Sequence, residues 1–199
     1  WRNNKTIANT IDGNQFSEGL MAHGACNYAF FEGTDMVCTS LNDVYNCRFE
    51  NLLIENNVVE GVHDIGITVL ASFPGRHDNV LENVIIRNNR ITYFNTGINV
   101  GATNQCSSAD VSRMYARHIL IENNILKPMN PGPFEPQIGI MLFTTRCESQ
   151  MQNCTDCHME DIIVKDNEIW GHEVGIQIEA QHGTQELPYP SKISNCTIT

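Results

Sequence analysis

Positive charge is scarce in this chain: 12 Lys and Arg stand against 23 Asp and Glu, a formal net charge of -11. Nucleic acid and anionic membrane reward clustered Lys and Arg, so neither is expected as the main partner. No apolar run approaches the roughly 20 residues that a membrane span needs. A signal-like start is also missing, because Trp1 opens directly into sequence that reads as folded. The expectation is a mature or excised piece of a longer protein. What is present suffices for one domain over residues 1–199, with 41% hydrophobic residues to build a core.

Cysteine is plentiful: Cys26, Cys38, Cys47, Cys106, Cys147, Cys154, Cys157 and Cys196. An even number without regular zinc spacing points to disulfides, an oxidising compartment and an extracellular or cell-surface location. The pairing stays open. Cys154, Cys157 and His158 also match the Cys-x-x-Cys-His pattern of covalent haem attachment. The remaining cysteines carry no such pattern, so the disulfide reading is preferred and no cofactor is expected.

The organising feature is a repeat. LLIENNVV (52–59), VIIRNNRI (84–91), ILIENNIL (119–126) and IIVKDNEI (162–169) align on their second amide or its neighbour. WRNNKT (1–6) and KISNCTI (192–198) read as fainter copies at the ends. A second signature follows each clear copy: IGITV, TGINV, IGIML and VGIQI, starting at residues 65, 96, 138 and 174. Such self-similarity marks a solenoid, whose units bury their apolar faces against one another. Each unit is expected to be a strand–turn–strand coil, its Gly allowing a tight bend. Asn57, Asn89, Asn124 and Asn167 would stack as a ladder at one corner, at about 4.8 Å per coil. Glu55, Arg87, Glu122 and Lys165 face outward beside it and alternate in sign, as cross-strand neighbours prefer.

The repeat resembles those of the pectin-lyase-like superfamily, in which a strand, an Asn-containing turn and a Gly-Ile-x-Val strand form one rung. The resemblance implies an all-β, single-stranded, right-handed parallel β-helix with long disulfide-bearing loops along one side. An irregular disulfide-rich insertion is expected at about residues 23–50. The apolar-x-apolar-x-x-Asn spacing also fits a leucine-rich repeat, but the units are long, Leu is scarce and the second strand signature has no place there.

The resemblance also implies where chemistry would sit, on outward strand positions beside the long loops. In the second strand these are Thr68, Asn99, Met141 and Gln177, which include no acid, base or cation. The turn before the Gly offers Asp64, Asn95, Gln137 and Glu173. Asp64 and Glu173 would lie roughly 14 Å apart, beyond the roughly 5–9.5 Å of glycosidase pairs. The Asp-Asp pair and Gly-His-Gly of a polygalacturonase-like hydrolase are absent. The densest polar knot is Arg76-His77-Asp78, which with His63 and Asp64 could hold a cation such as calcium or act as base and acid. The plainer reading is a solvated loop tip with an Asx turn.

Three sequons occur, at Asn4, Asn153 and Asn195. Asn4 and Asn195 fall in the corner motif and are expected to point inward, which leaves Asn153, in a loop, as the glycosylation site. Two functions remain. One is an extracellular structural or adhesive module of a surface protein, appendage or filament, with a glycan as partner or with self-association through open solenoid ends. The other is a polysaccharide lyase, glycoside hydrolase or epimerase, which rests on analogy of fold.

Overall fold

The computed structural model describes residues 5–7, 10–12, 20–23, 31–32, 48–62, 65–72, 79–93, 95–103, 114–129, 137–144, 157–171, 173–180 and 192–199. Every element among them is a strand. The first coil holds β1 (Lys5–Ile7), β2 (Thr10–Asp12) and β3 (Leu20–His23), followed by β4 (Phe31–Glu32). The second holds β5 (Arg48–Glu55), β6 (Val58–Val62) and β7 (Ile65–Ser72), and the third β8 (Asn79–Arg87), β9 (Arg90–Tyr93) and β10 (Thr96–Thr103). The fourth holds β11 (Met114–Glu122), β12 (Ile125–Pro128) and β13 (Ile138–Thr144). The fifth holds β14 (Cys157–Lys165), β15 (Glu168–Ile169) and β16 (Val174–Ala180), and β17 (Lys192–Ile198) starts a sixth.

Three sheets result. Sheet A runs β1-β5-β8-β11-β14-β17, sheet B β15-β12-β9-β6-β2, and sheet C β16-β13-β10-β7-β3-β4. All pairings are parallel except that of β3 with β4. Each strand therefore pairs with its counterpart one coil on, an all-β arrangement compatible with a parallel β-helix. The coils carry three strands, where the sequence reading counted two. Sheet B escaped notice because its strands are short and each sends one aliphatic inward: Val59, Ile91, Leu126 and Ile169.

The repeated aliphatic triplet explains sheet A. Its outer members, such as Leu52 and Ile54 or Ile119 and Ile121, are buried in the core. The middle ones, Leu53, Ile85 and Leu120, face outward and are half-buried. β-Branched residues suit this half-buried pleated surface. The amide pair closes the strand. Its first member, at Asn56, Asn88, Asn123 and Asp166, takes φ between 53° and 57°. Asn and Asp enter this left-handed region far more readily than other L-residues.

A second left-handed column lies inside sheet A, at Asn51, Asn83, His118, Asp161 and Asn195, with φ between 51° and 59°. It breaks each strand locally, since Glu82 pairs with Arg117 and Val84 with Ile119 while Asn83 and His118 are passed over. This column corrects the C-terminal copy of the repeat. Cys196 pairs with Ile162 and Ser194 with Glu160, so Asn195 stands in the kink column opposite Asp161, not at the corner. At the other end Thr6 pairs with Ile54 and Ile7 with Glu55, so the amides of WRNNKT precede β1.

The glycine opening sheet C is also explained differently. Among the described residues the positive-φ glycines are Gly61 and Gly171. A Cβ on Gly66 would collide with Ile91 Cγ2 and stand 2.7 Å from the Gly97 carbonyl. On Gly139 it would lie 2.5 Å from the Gly175 carbonyl and 2.6 Å from Ile169 Cγ2. Crowding by the sheet B aliphatic and by the carbonyl of the next coil's glycine, not a left-handed bend, excludes a side chain there.

Two cysteines are described, and neither is a loop disulfide. Cys157 opens β14 inside the core, Cys196 faces inward opposite Ile162, and both are thiols. Cys26, Cys38, Cys47, Cys106, Cys147 and Cys154 lie outside the described residues, as does most of the expected insertion at 23–50. Ile178 is 44% exposed and Ile198 46%, although they pair with the buried Leu142 and Val164 of the preceding coils.

Candidate functional site

Strand alternation builds one face of interest. In sheet C, Ile67, Val69 and Ala71, Ile98, Val100 and Ala102, and Ile140 and Leu142 point into the core. The residues between them face outward, and the register aligns Thr68, Asn99, Met141 and Gln177 in one row. Leu70, Gly101, Phe143 and Glu179 form the next. The Phe143 ring lies over Gly101, where an added Cβ would meet its Cε1 at 2.6 Å.

This outer face is covered at its centre. Thr68 is 1% exposed and Asn99 8%, and neither Thr68 Oγ1 nor Asn99 Oδ1 has a hydrogen-bond partner. Buried polar atoms are normally paired, because an unpaired one forfeits about 1–3 kcal/mol. Thr68 Oγ1 and Asn99 Oδ1 are thus neighbouring buried oxygens on an outward row that solvent does not reach. Farther along, Gln177 Nε2 donates to Glu179 Oε2 at 3.2 Å.

The turn column behaves as scaffold where it is described. Gln137 is buried, donates from Nε2 to the Met129 carbonyl at 2.9 Å, and accepts from Val174 N through its own carbonyl. Asn95 accepts from Ile138 N, and Glu173 is exposed. Arg76, His77, Asp78, His63, Asp64 and Asn153 lie outside the described residues.

The amides of the corner carry the most regular network. Asn57 Nδ2 donates to Asn89 Oδ1 at 2.9 Å, Asn89 Nδ2 to Asn124 Oδ1 at 3.0 Å, and Asn124 Nδ2 to Asn167 Oδ1 at 2.9 Å. The second Nδ2 hydrogen of Asn89, Asn124 and Asn167 reaches back to the carbonyls of Ile54, Ile86 and Ile121.

Outside the corner, charge is matched between coils. Arg87 Nε lies 2.7 Å from Glu55, and Arg87 Nη1 lies 4.0 Å from Glu122, which Lys165 Nζ meets at 3.0 Å. Arg117 pairs with Glu82 at 3.1 Å. The kink column adds Asn83 to Asn51, His118 to Asp161 and Asn195 to Asp161 contacts of 3.1, 3.2 and 3.0 Å. Sequence reasoning missed these residues. Their signal was an Asn, Asp or His five positions before each corner amide pair.

His158, half-buried, is tilted against Tyr115 with ring centroids 5.7 Å apart, beside the core thiol of Cys157. Burial pushes the Cys196 thiol above its ordinary range. Among the described residues no group of three or more His, Cys, Asp or Glu could hold a metal ion, and no helix is long and apolar enough to cross a membrane. No protein-family model, curated protein or solved structure matches the chain.

Proposed function

We propose that the chain is an extracellular structural or adhesive module of a surface protein, appendage or filament, built as a right-handed β-helix of the pectin-lyase-like superfamily. The observation that carries this reading is the ladder Glu55–Arg87–Glu122–Lys165, in which outward charges are committed to pairs between coils. Such a surface reinforces a rod. Disulfides among Cys26, Cys38, Cys47, Cys106, Cys147 and Cys154 would complete it for an oxidising environment.

A glycan as the partner of sheet C rests on analogy of fold, since Thr68 and Asn99 are covered. The same analogy supports the second reading, a polysaccharide lyase, glycoside hydrolase or epimerase, with Arg76, His77 and Asp78 as its candidate residues. A depolymerisation screen against acidic and neutral polysaccharides, with and without calcium, separates the two. The structural reading expects no unsaturated uronates and no new reducing ends from folded protein. Activity that disappears in His77→Ala or Asp78→Ala overturns it.

A further inference from the structure

The sequon Asn195-Cys196-Thr197 lies in β17, which pairs with β14 in sheet A. The kink column changes what this tripeptide presents. At φ 51° the Asn195 side chain is exposed, Cys196 turns inward opposite Ile162, and Thr197 is exposed again opposite the outward Ile163. Asn and Thr of the sequon therefore both face solvent, with the cysteine anchored between them. The corner amides show the opposite case, since both Nδ2 hydrogens of Asn89 are occupied inside the wall.

We propose that Asn195 is an N-glycosylation acceptor, a role that rests on the extracellular reading above. Among the described residues its Nδ2 makes one hydrogen bond, to Asp161 Oδ1 at 3.0 Å. Glycosylation replaces the other Nδ2–H bond by a bond to C1 of an oligosaccharide carried on a lipid diphosphate. The C1–O bond to that carrier breaks, the diphosphate leaves with the electron pair, and the displaced proton passes to the transferase base. The remaining N–H still donates to Asp161, so the folded kink is compatible with the modified side chain.

The test is secretion of the full chain from a eukaryotic host, followed by enzymatic deglycosylation in heavy-oxygen water and peptide mass mapping. The peptide containing Asn195 is expected to carry the labelled aspartate. Asn195→Gln and Thr197→Ala should each remove one glycan from the intact mass, with the melting temperature measured alongside; Thr197→Ala keeps the kink residue. Thiol counting on the same secreted protein reads the extracellular proposal separately. Oxidised cysteines with an unmodified Asn195 overturn the acceptor role and leave that reading standing. Reduced cysteines with an unmodified Asn195 overturn both.

Discussion

Asn89 Oδ1 receives two hydrogen bonds from Asn57, one from its side-chain amide and one from its main-chain N–H, both at 2.9 Å. Asn124 treats Asn89 in the same way. Each inner amide thus saturates its own hydrogens while capping the main chain of the preceding coil.

Removing an inner amide should therefore be costly. Asn124→Ala strands the main-chain N–H of Asn89 and the carbonyl of Ile86, and is expected to lose about 2–4 kcal/mol, one or two unsatisfied buried groups. Urea unfolding measures this, and a loss under about 0.5 kcal/mol, the range of neutral surface changes, would count against the ladder as a stabilising device.

The glycines divide into two kinds. Gly139→Ala places a methyl against main chain and Ile169, and should cost roughly 1–3 kcal/mol through overpacking. Gly175→Ala meets nothing within 4 Å and should stay within about 0.5 kcal/mol of the parent. Equal effects in thermal melts would contradict the crowding of Gly139 by Ile169 and the Gly175 carbonyl.

Position along the stack should set the weight of a core residue. Leu142→Ala, at a fully buried site, is expected to lose about 2–5 kcal/mol. Ile178 pairs with Leu142 yet is 44% exposed, so Ile178→Ala should lose about half as much or less. The comparison needs only two chemical denaturation curves.

Cys196 links burial to pH. Its folded-state thiol is held above the ordinary 9.0 by desolvation. Its contribution to stability is therefore complete below the unfolded value and lost as pH rises through the folded one. Melting temperatures from neutral to alkaline pH should fall more steeply for the parent than for Cys196→Ala. Parallel slopes would remove burial of the thiol as the cause.

Much of this molecule was visible in its residues, for identifiable reasons. Asn57, Asn89, Asn124 and Asn167 recur with invariant aliphatic neighbours, so a repeat and its parallel stacking could be read directly. Glu55, Arg87, Glu122 and Lys165 alternated for the same reason, and the structure pairs them. Sheet B was hidden because one inward aliphatic per coil makes no periodic signal. Asn195 was misplaced because two left-handed columns use the same residue types, and one sequence position cannot say which column it joins. The outward row Thr68, Asn99, Met141 and Gln177 could be read from alternation, but the burial of its first two members depends on what packs over sheet C. Those contacts have no local signature.

The amide column has a consequence for assembly. Every carboxamide in it points the same way, with oxygen toward the first coil and nitrogen toward the last, so the column carries a polarity along the axis. A two-fold axis would bring like ends together, nitrogen against nitrogen or oxygen against oxygen. Only head-to-tail addition of another parallel coil extends the chain of donors and acceptors, and head-to-tail contacts that do not close into a ring generate filaments.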